Sequence, residues 1–562
     1  MSPHTSADNS TEHPSKRTKL ESQKDKFHQG LLETASSLQT AYAASKPYLH
    51  CKIDKLVNED LLRKVRKEIL SNLHFTLKET DIYKVYQTGD LANLDGLPAD
   101  ELAKLESLFE LRNALYSPEF REFISTVTGC GHLSGTKTDM SINSYNGGCH
   151  LLNHDDVIGT RRVSYILYLT DPENPWDPKD GGALELYPVI EKGIPATEPT
   201  VVLPPQWNQF VMFTVQPGHS FHSVEEVVPE NKPRLSISGW FHIPQEGELG
   251  YQAEKEEGES KSSLEQLQMD TDSSDKFTKY EDELDDEATD GLSKEDLEAL
   301  AEWMNPHYLN IKMLGQISER FMDESAVQCK DIINKSLFAE LKQATEEADK
   351  RDGLTSRVMV PHGTGTRGQW VAHGPPHRCR YMTLDKTLKS EDDPTSKLFA
   401  DLQEKLSSEP FRRWLAVVTQ MVPQGFRGEA RRFRPGHDYT LATTNTRGQG
   451  VLDATLTFAT TPNKKSANVW EGGECGGYEC YMAPHDDEED AAIYKAADDE
   501  GALLTLPAGC NELSLVLRDE DVMRFVKYVS ARAPGSRWDL SFEYDLPEET
   551  EENEDEEKEE DK

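Results

Sequence analysis

The sequence is short of cysteine, of long apolar runs and of basic charge, and each shortage excludes something. Eight cysteines in 562 residues are too few for a disulfide framework, and Cys51, Cys130, Cys149, Cys329, Cys379 and Cys510 stand alone. Only Cys475 and Cys480 lie close together. Their spacing across Gly476 and Gly477 suits a zinc half-site, but no second Cys/His pair of matching spacing follows, so buried free thiols are expected. No run approaches the roughly 18 to 20 apolar residues of a membrane-spanning helix, and the first 26 residues are polar with no apolar signal-peptide core. A soluble protein of nucleus and cytoplasm, where thiols stay reduced, is the expectation. Lys and Arg number 61 against 101 Asp and Glu, a net charge of −40. Phosphate binding needs basic residues in excess, so a direct nucleic-acid surface is excluded and a basic macromolecular partner is favoured.

The acidic charge is concentrated. Residues 246–299 carry 20 acids and 5 bases, residues 548–562 carry 11 and 2, and residues 486–500 carry 8 and one. Few aromatics accompany these charges in the first stretch, so burial there does not offset the entropy of ordering the chain. The length predicts two to four domains. The expected division is a polar tail at 1–26, a first domain at 27–245, an acidic flexible linker at 246–294, a second domain at 295–547 with an acidic insertion at 486–500, and an acidic tail at 548–562. Pro14, Lys16, Arg17 and Lys19 form a short basic cluster in the first tail, the kind that serves as a nuclear localisation signal.

The first domain opens with helical patterns, such as Leu61, Leu62, Val65 and Ile69 within EDLLRKVRKEIL (59–70). After about residue 138 come short β-rich runs: VSYILYLT (163–170), GALELYPVI (182–190), NQFVMFTVQ (208–216), HSVEEVV (222–228) and RLSISGWFHI (234–243). The pattern predicts a mainly β, helix-flanked (α+β) barrel or sandwich. The second half repeats the series: GGALELYPV (181–189) matches GGYECYMAP (476–484), NQFVMFTV (208–215) matches NELSLVLR (511–518), and RLSISGWFHIP (234–244) matches SRWDLSFEYDLP (536–547). Two related barrels are expected.

His154 and Asp156 are two residues apart, so on a strand they share one face; His222 opens a later strand. Two histidines and one carboxylate form the facial triad that holds Fe(II) and leaves positions open for a bidentate co-substrate and O2. Arg234, at the head of a buried strand, supplies a planar fork for the far carboxylate of 2-oxoglutarate. Tyr145 and Tyr168 either add phenolic hydrogen bonds to that carboxylate or are packed core tyrosines with satisfied hydroxyls. Asp155 would face the other way, and His219 and His242 do not complete the spacing. The second copy keeps Arg537 but places Arg524 or Phe525 where His222 stands. There His437 is followed two positions on by Tyr439, so the second barrel is expected to be non-catalytic.

The stretches SYNGGCHLLNHDD, RRVSYILYL, GGALELY, HSVEEV with Arg234, and RRFRPGHDYTL resemble the eukaryotic 2-oxoglutarate- and Fe(II)-dependent prolyl hydroxylases that act on a small-subunit ribosomal protein of the decoding centre, most closely fungal members. The resemblance spans about 27–547. It implies two tandem double-stranded β-helix (jelly-roll) domains, the first catalytic. It implies iron on His154, Asp156 and His222, with 2-oxoglutarate on Arg234, Tyr145 and Tyr168, and L-ascorbate assisting. The expected activity is hydroxylation of a prolyl residue at C3, or at both C3 and C4, affecting translation termination and accuracy. The alternatives are an oxygen-sensing regulatory protein that binds a transcription factor through its second domain, or the same iron chemistry on a histone.

Overall fold

The computed structural model describes residues 23–91, 96–252, 276–282, 284, 286–388, 393–444, 450–459, 467–483 and 502–547. The acidic insertion at 486–500 and the tail at 548–562 lie outside them, as do residues 1–22 of the first tail and 253–275 of the expected linker. Among the described residues no helix is long and apolar enough to cross a membrane.

In the first half, strands His50–Ile53, Phe210–Thr214, Arg161–Tyr168, Arg234–His242 and Thr138–Tyr145 lie side by side, all antiparallel. Tyr83–Gln87 pairs with both Thr138–Tyr145 and His150–His154, and through it the sheet curls over. It continues through His222–Val224, Leu184–Leu186 and Val201–Leu203. Helices cover the back of the first five strands. Helix Glu59–Asn72 starts where the Asn58 side chain accepts from the Asp60 and Leu61 amides, and it buries Leu61, Leu62, Val65 and Ile69 as the periodicity predicts.

The second half reproduces this order strand for strand. Ala326–Lys330, Cys510–Arg518, Val451–Ala459, Arg537–Asp545 and Gly425–Phe433 form the wide sheet, while Thr443–Thr444, Met523–Val526, Glu479–Met482 and Ala502–Leu506 form the narrow one. The repeat read from three short segments is therefore a repeat of topology, and each half is a curled antiparallel jelly roll.

The paired glycines show why that signal survived. Gly181 and Gly182 have φ = 70° and 70°, and Gly476 and Gly477 have 69° and 71°. A Cβ on Gly181 would lie 2.0 Å from the Glu226 carbonyl oxygen, and one on Gly476 would lie 1.9 Å from that of Tyr528. With ψ = −152°, Gly181 also occupies a region that only glycine enters cheaply. Gly181→Ala should cost about 2 kcal/mol or more, seen as a fall in melting temperature of roughly 4–8 °C.

One expectation needs correction. Residues 276–282, assigned to a flexible linker, are attached to the second domain: Thr278–Lys279 pairs with Gly425–Phe426. The reason is the aromatics within the acidic run. Phe277 lies under Arg427, and Tyr280 packs on Phe426 beneath the Arg412 guanidinium.

The two halves meet through the outer face of the first domain's narrow sheet. Glu226, buried there, accepts from Ser530 Oγ at 2.5 Å and the Ala531 amide at 2.7 Å, while Lys527 pairs with Glu79 at 3.2 Å.

Candidate active site

His154 ends its strand directly opposite His222, and the two ring centroids are 4.2 Å apart. Both imidazoles are fixed in the same way. Nδ1 faces the carbonyl oxygen two residues earlier, Leu152 at 2.8 Å for His154 and Ser220 at 2.9 Å for His222. A carbonyl only accepts, so Nδ1 carries the hydrogen and Nε2 presents a lone pair, the form a metal ion requires.

Asp156 completes the cluster. Its Oδ1 is 3.4 Å from His154 Nε2 and its Oδ2 is 3.5 Å from His222 Nε2. One ligand atom from each of the three residues fits within 4.8 Å of the others. The structure brings these three residues together, but not by the strand alternation that the spacing suggested. The strand stops at His154, and Asp156 has φ = 60°, so a left-handed turn rather than strand alternation swings the carboxylate back over the histidines. Asp155 is directed away, as expected, with its carboxylate near the Gly218 and Val157 amides.

Two residues that the sequence reading missed hold Asp156 in place. Ser164 Oγ and Trp240 Nε1 donate to its Oδ2 at 3.0 and 3.1 Å. They face each other across neighbouring strands. Alternation carried the signal, since Trp240 lies six residues after Arg234 and Ser164 lies four before Tyr168, which puts each on the inward face. Burial opposes charge on Asp156, yet His222 and His154 hold its carboxyl well below the usual range. Burial and then the neighbouring His154 lower His222 to about 4. Burial also works against a charged His154, but Asp156 outweighs it and the shift is upward. A divalent cation would take the place of that His154 proton, so the donor set fits Fe(II) in ligand type, tautomer and charge.

Arg234 is 1% exposed. Its Nε donates to the Gly182 carbonyl at 2.7 Å, and its Nη2 lies 3.4 Å from the Tyr168 hydroxyl. The guanidinium carbon sits 4.8 Å from the Tyr145 ring centroid and 4.9 Å from that of Tyr168. Gly182 permits this approach, because a Cβ there would be 3.0 Å from Arg234 Cδ. Burial pushes the Tyr145 phenol up to about 12 and raises that of Tyr168, so both keep the proton they would donate. Leu184, Leu186, Val211 and Val224 form apolar walls around this group.

The second copy has the same frame with the chemistry replaced. His222 pairs with Leu186 four residues beyond Gly182; Arg524 pairs with Tyr481 four beyond Gly477, so Arg524 holds the place of His222. Thr443, opposite Arg524, holds the place of His154. Arg537 corresponds to Arg234, but its guanidinium is taken up by Asp539 at 2.8 Å and Glu479 at 3.4 Å. Phe433, which pairs with Arg537, stands where Tyr145 stands, and Thr457 replaces Tyr168. His437 gives Nε2–H to the Val360 carbonyl and Asp438 is gripped by Arg434, and among the described residues neither belongs to a cluster of three metal-ligating side chains. Cys475 and Cys480 are free and buried.

Residues 140–242 match the family model described as 2OG-Fe(II) oxygenase superfamily, and residues 295–554 match the one described as oxoglutarate and iron-dependent oxygenase degradation C-term. A prolyl 3,4-dihydroxylase of Ostreococcus tauri is 37% identical over 503 residues, covering 89% of this chain and 95% of its own length. A prolyl 3-hydroxylase of Mus musculus is 30% identical, covering 89% of each chain. Among solved structures, a Pseudomonas putida prolyl-4-hydroxylase is 21% identical with a TM-score of 0.28, covering 37% of this chain and 98% of its own. The chain belongs to the family of 2-oxoglutarate- and Fe(II)-dependent prolyl 3-hydroxylases and 3,4-dihydroxylases, and is a peptidyl-proline dioxygenase.

Proposed function

We propose that this dioxygenase hydroxylates a proline of a basic small-subunit ribosomal protein and so influences translation termination. The observation that carries this reading is similarity to prolyl 3-hydroxylases and 3,4-dihydroxylases along most of the chain; the ribosomal substrate rests on the resemblance of the sequence motifs to ribosome-directed enzymes. Charge agrees with it. A chain of net −40 attracts a Lys- and Arg-rich protein and speeds the encounter. L-Ascorbate, as the reductant that keeps iron ferrous, and action in both nucleus and cytoplasm are part of the proposal.

Iron, when bound, couples oxidative decarboxylation of 2-oxoglutarate to succinate with insertion of oxygen at a prolyl carbon. The chain supplies position and exclusion. His154, Asp156 and His222 would hold the ion. Arg234 takes the far carboxylate of 2-oxoglutarate, with the Tyr145 and Tyr168 phenols as donors. The apolar walls keep water from competing for those hydrogen bonds. Ser164 and Trp240 prevent the Asp156 carboxylate from rotating.

Losing one partner of a buried charged pair costs at least about 2 kcal/mol. Arg234→Ala should therefore raise the KM for 2-oxoglutarate roughly 30-fold or more, measured by succinate release. An unchanged KM would remove Arg234 from the co-substrate site. The substrate assignment is tested by mass spectrometry of ribosomal proteins and histones from cells with and without the enzyme. A +16 or +32 Da shift on one ribosomal proline, absent in the deletion, is the expected result. The second domain, with carboxylates and arginines filling the places of metal and co-substrate, is proposed as a surface for a regulatory protein partner.

A further inference from the structure

Strand alternation turns Glu185 and Glu225 away from the catalytic pocket. Leu186 pairs with His222 inside the jelly roll, while Glu185 pairs with Ser223 on the outer face. There the second domain covers them, and His362 comes across the boundary with its Nε2 in contact with Glu185 Oε1. One atom each from Glu185, Glu225 and His362 fits within 4.8 Å of the others, the same criterion the catalytic triad meets. The three border a cavity of about 30 Å³ between the domains, room for one ion and a water.

An ordinary Glu185–His362 ion pair does not account for this cavity. Glu185 is already supplied by the Tyr187 and Ser223 hydroxyls, each at 2.8 Å, so His362 adds a third donor. Glu225 accepts a 3.2 Å bond from the Ala183 amide and meets the Glu185 carboxylate, with which it can share a single proton; burial and then Glu185 push its carboxyl up to about 8.

The walls also carry polar atoms with nothing to bind. His150 is 3% exposed, and its Nδ1 faces the Gly148 carbonyl at 3.1 Å, the arrangement seen in both catalytic histidines. Its Nε2 lone pair has no partner, and neither polar atom of the Asn153 side chain has one. Arg380, also lining the cavity, has Nε and Nη2 without hydrogen bonds. Three carboxylates, Glu185, Glu225 and Glu226, border the cavity with this one guanidinium, and a divalent cation would take the place of the proton that burial and Glu185 favour on Glu225. Buried groups left this way are costly unless something satisfies them.

We propose that Glu185, Glu225 and His362 form a second divalent-metal site, distinct from the iron site, that clamps the two jelly rolls together. Two carboxylates and an imidazole converging on a cavity of this size suit Zn2+ among the common divalent ions. Two ligands come from the first domain and one from the second, so the ion's binding energy becomes docking energy. A water on the ion would meet His150 Nε2 or the Asn153 amide as partners.

The test uses the full chain with His154→Ala, Asp156→Ala and His222→Ala together, which removes the three iron ligands so that bound metal reports the interface. Zn2+ titration by calorimetry and elemental analysis after dialysis should give one equivalent, and Zn2+ should raise the melting temperature. Adding Glu225→Gln, which keeps the shape, or His362→Asn should weaken Zn2+ binding more than the about 10- to 100-fold typical of losing a ligand's hydrogen-bond partner. It should also abolish the thermal shift. A triply substituted parent that retains no Zn2+, or equal binding with Glu225→Gln and His362→Asn in folded protein, would overturn the proposal. The parent titration decides the matter even if a ligand variant fails to fold.

Discussion

Asp156→Gly is expected to leave a folded protein that produces almost no succinate. Glycine enters φ = 60° at no steric cost, whereas a residue with a Cβ is held there under strain, so the substitution relieves the backbone as it removes the ligand. Ser164 and Trp240 lose their acceptor, but the vacated volume admits water to take its place. The melting temperature should therefore stay within a few degrees of the parent. Turnover should fall at least about 10³-fold, or ~4 kcal/mol of transition-state stabilisation, because two histidines alone neither hold Fe(II) firmly nor balance its charge. Iron content measured beside succinate formation separates loss of metal from loss of chemistry. Full iron with parent turnover would mean that Asp156 is not a ligand. Asp156→Ala should lose turnover equally but gain less stability, since alanine keeps the left-handed strain.

How much of this was legible in the sequence depended on where the information lay. His154, Asp156, His222 and Arg234 were readable because few residue types can do their work and because each sits beside a recognisable strand. The repeat was readable for a similar reason: the paired glycines answer a backbone constraint that no side chain meets, and Arg234 and Arg537 each donate to the second glycine's carbonyl. What stayed hidden was geometry without a residue signature. Nothing in HDD announces that the strand ends before the ligand. Ser164 and Trp240 look like ordinary strand residues until the register pairs them. The choice between Arg524 and Phe525 as the counterpart of His222 likewise waited on register. Tertiary contact hid the rest, since Glu185 meets His362 across 177 positions of sequence, and the hold of Phe277 and Tyr280 on the second sheet lay concealed within a run whose charge implied a flexible linker.

Arg524→Met should be among the most destabilising changes in the second domain. Arg524 occupies the position of His222 and does for that jelly roll what a cation would do. It contacts Glu479 directly, lies 3.3 Å from Asp453, and donates to Thr455 and Ser541 at 2.7 and 3.0 Å. Glu479 and Asp453 are both almost wholly buried. Removing the guanidinium leaves Glu479 with Arg537 at 3.4 Å and Asp453 with Arg518 at 2.8 Å, and breaking a buried ionic network by taking away one partner costs about 3 kcal/mol. Acid should shrink the difference. Burial alone would raise Glu479, but Arg524 and Arg537 lower it to about 2. A depressed carboxyl contributes stability above its ordinary pKa near 4.5 and loses it as the pH falls towards 2. The gap between parent and Arg524→Met should therefore be widest near neutrality and narrow from about pH 5 downwards. Adding Glu479→Gln to Arg524→Met should restore part of the loss, because the charge left behind is then gone; strictly additive losses in the double variant would show that the two side chains do not act as a pair. Succinate formation by the first domain should survive Arg524→Met below the melting transition, since the substituted residue lies in the jelly roll that carries no metal triad.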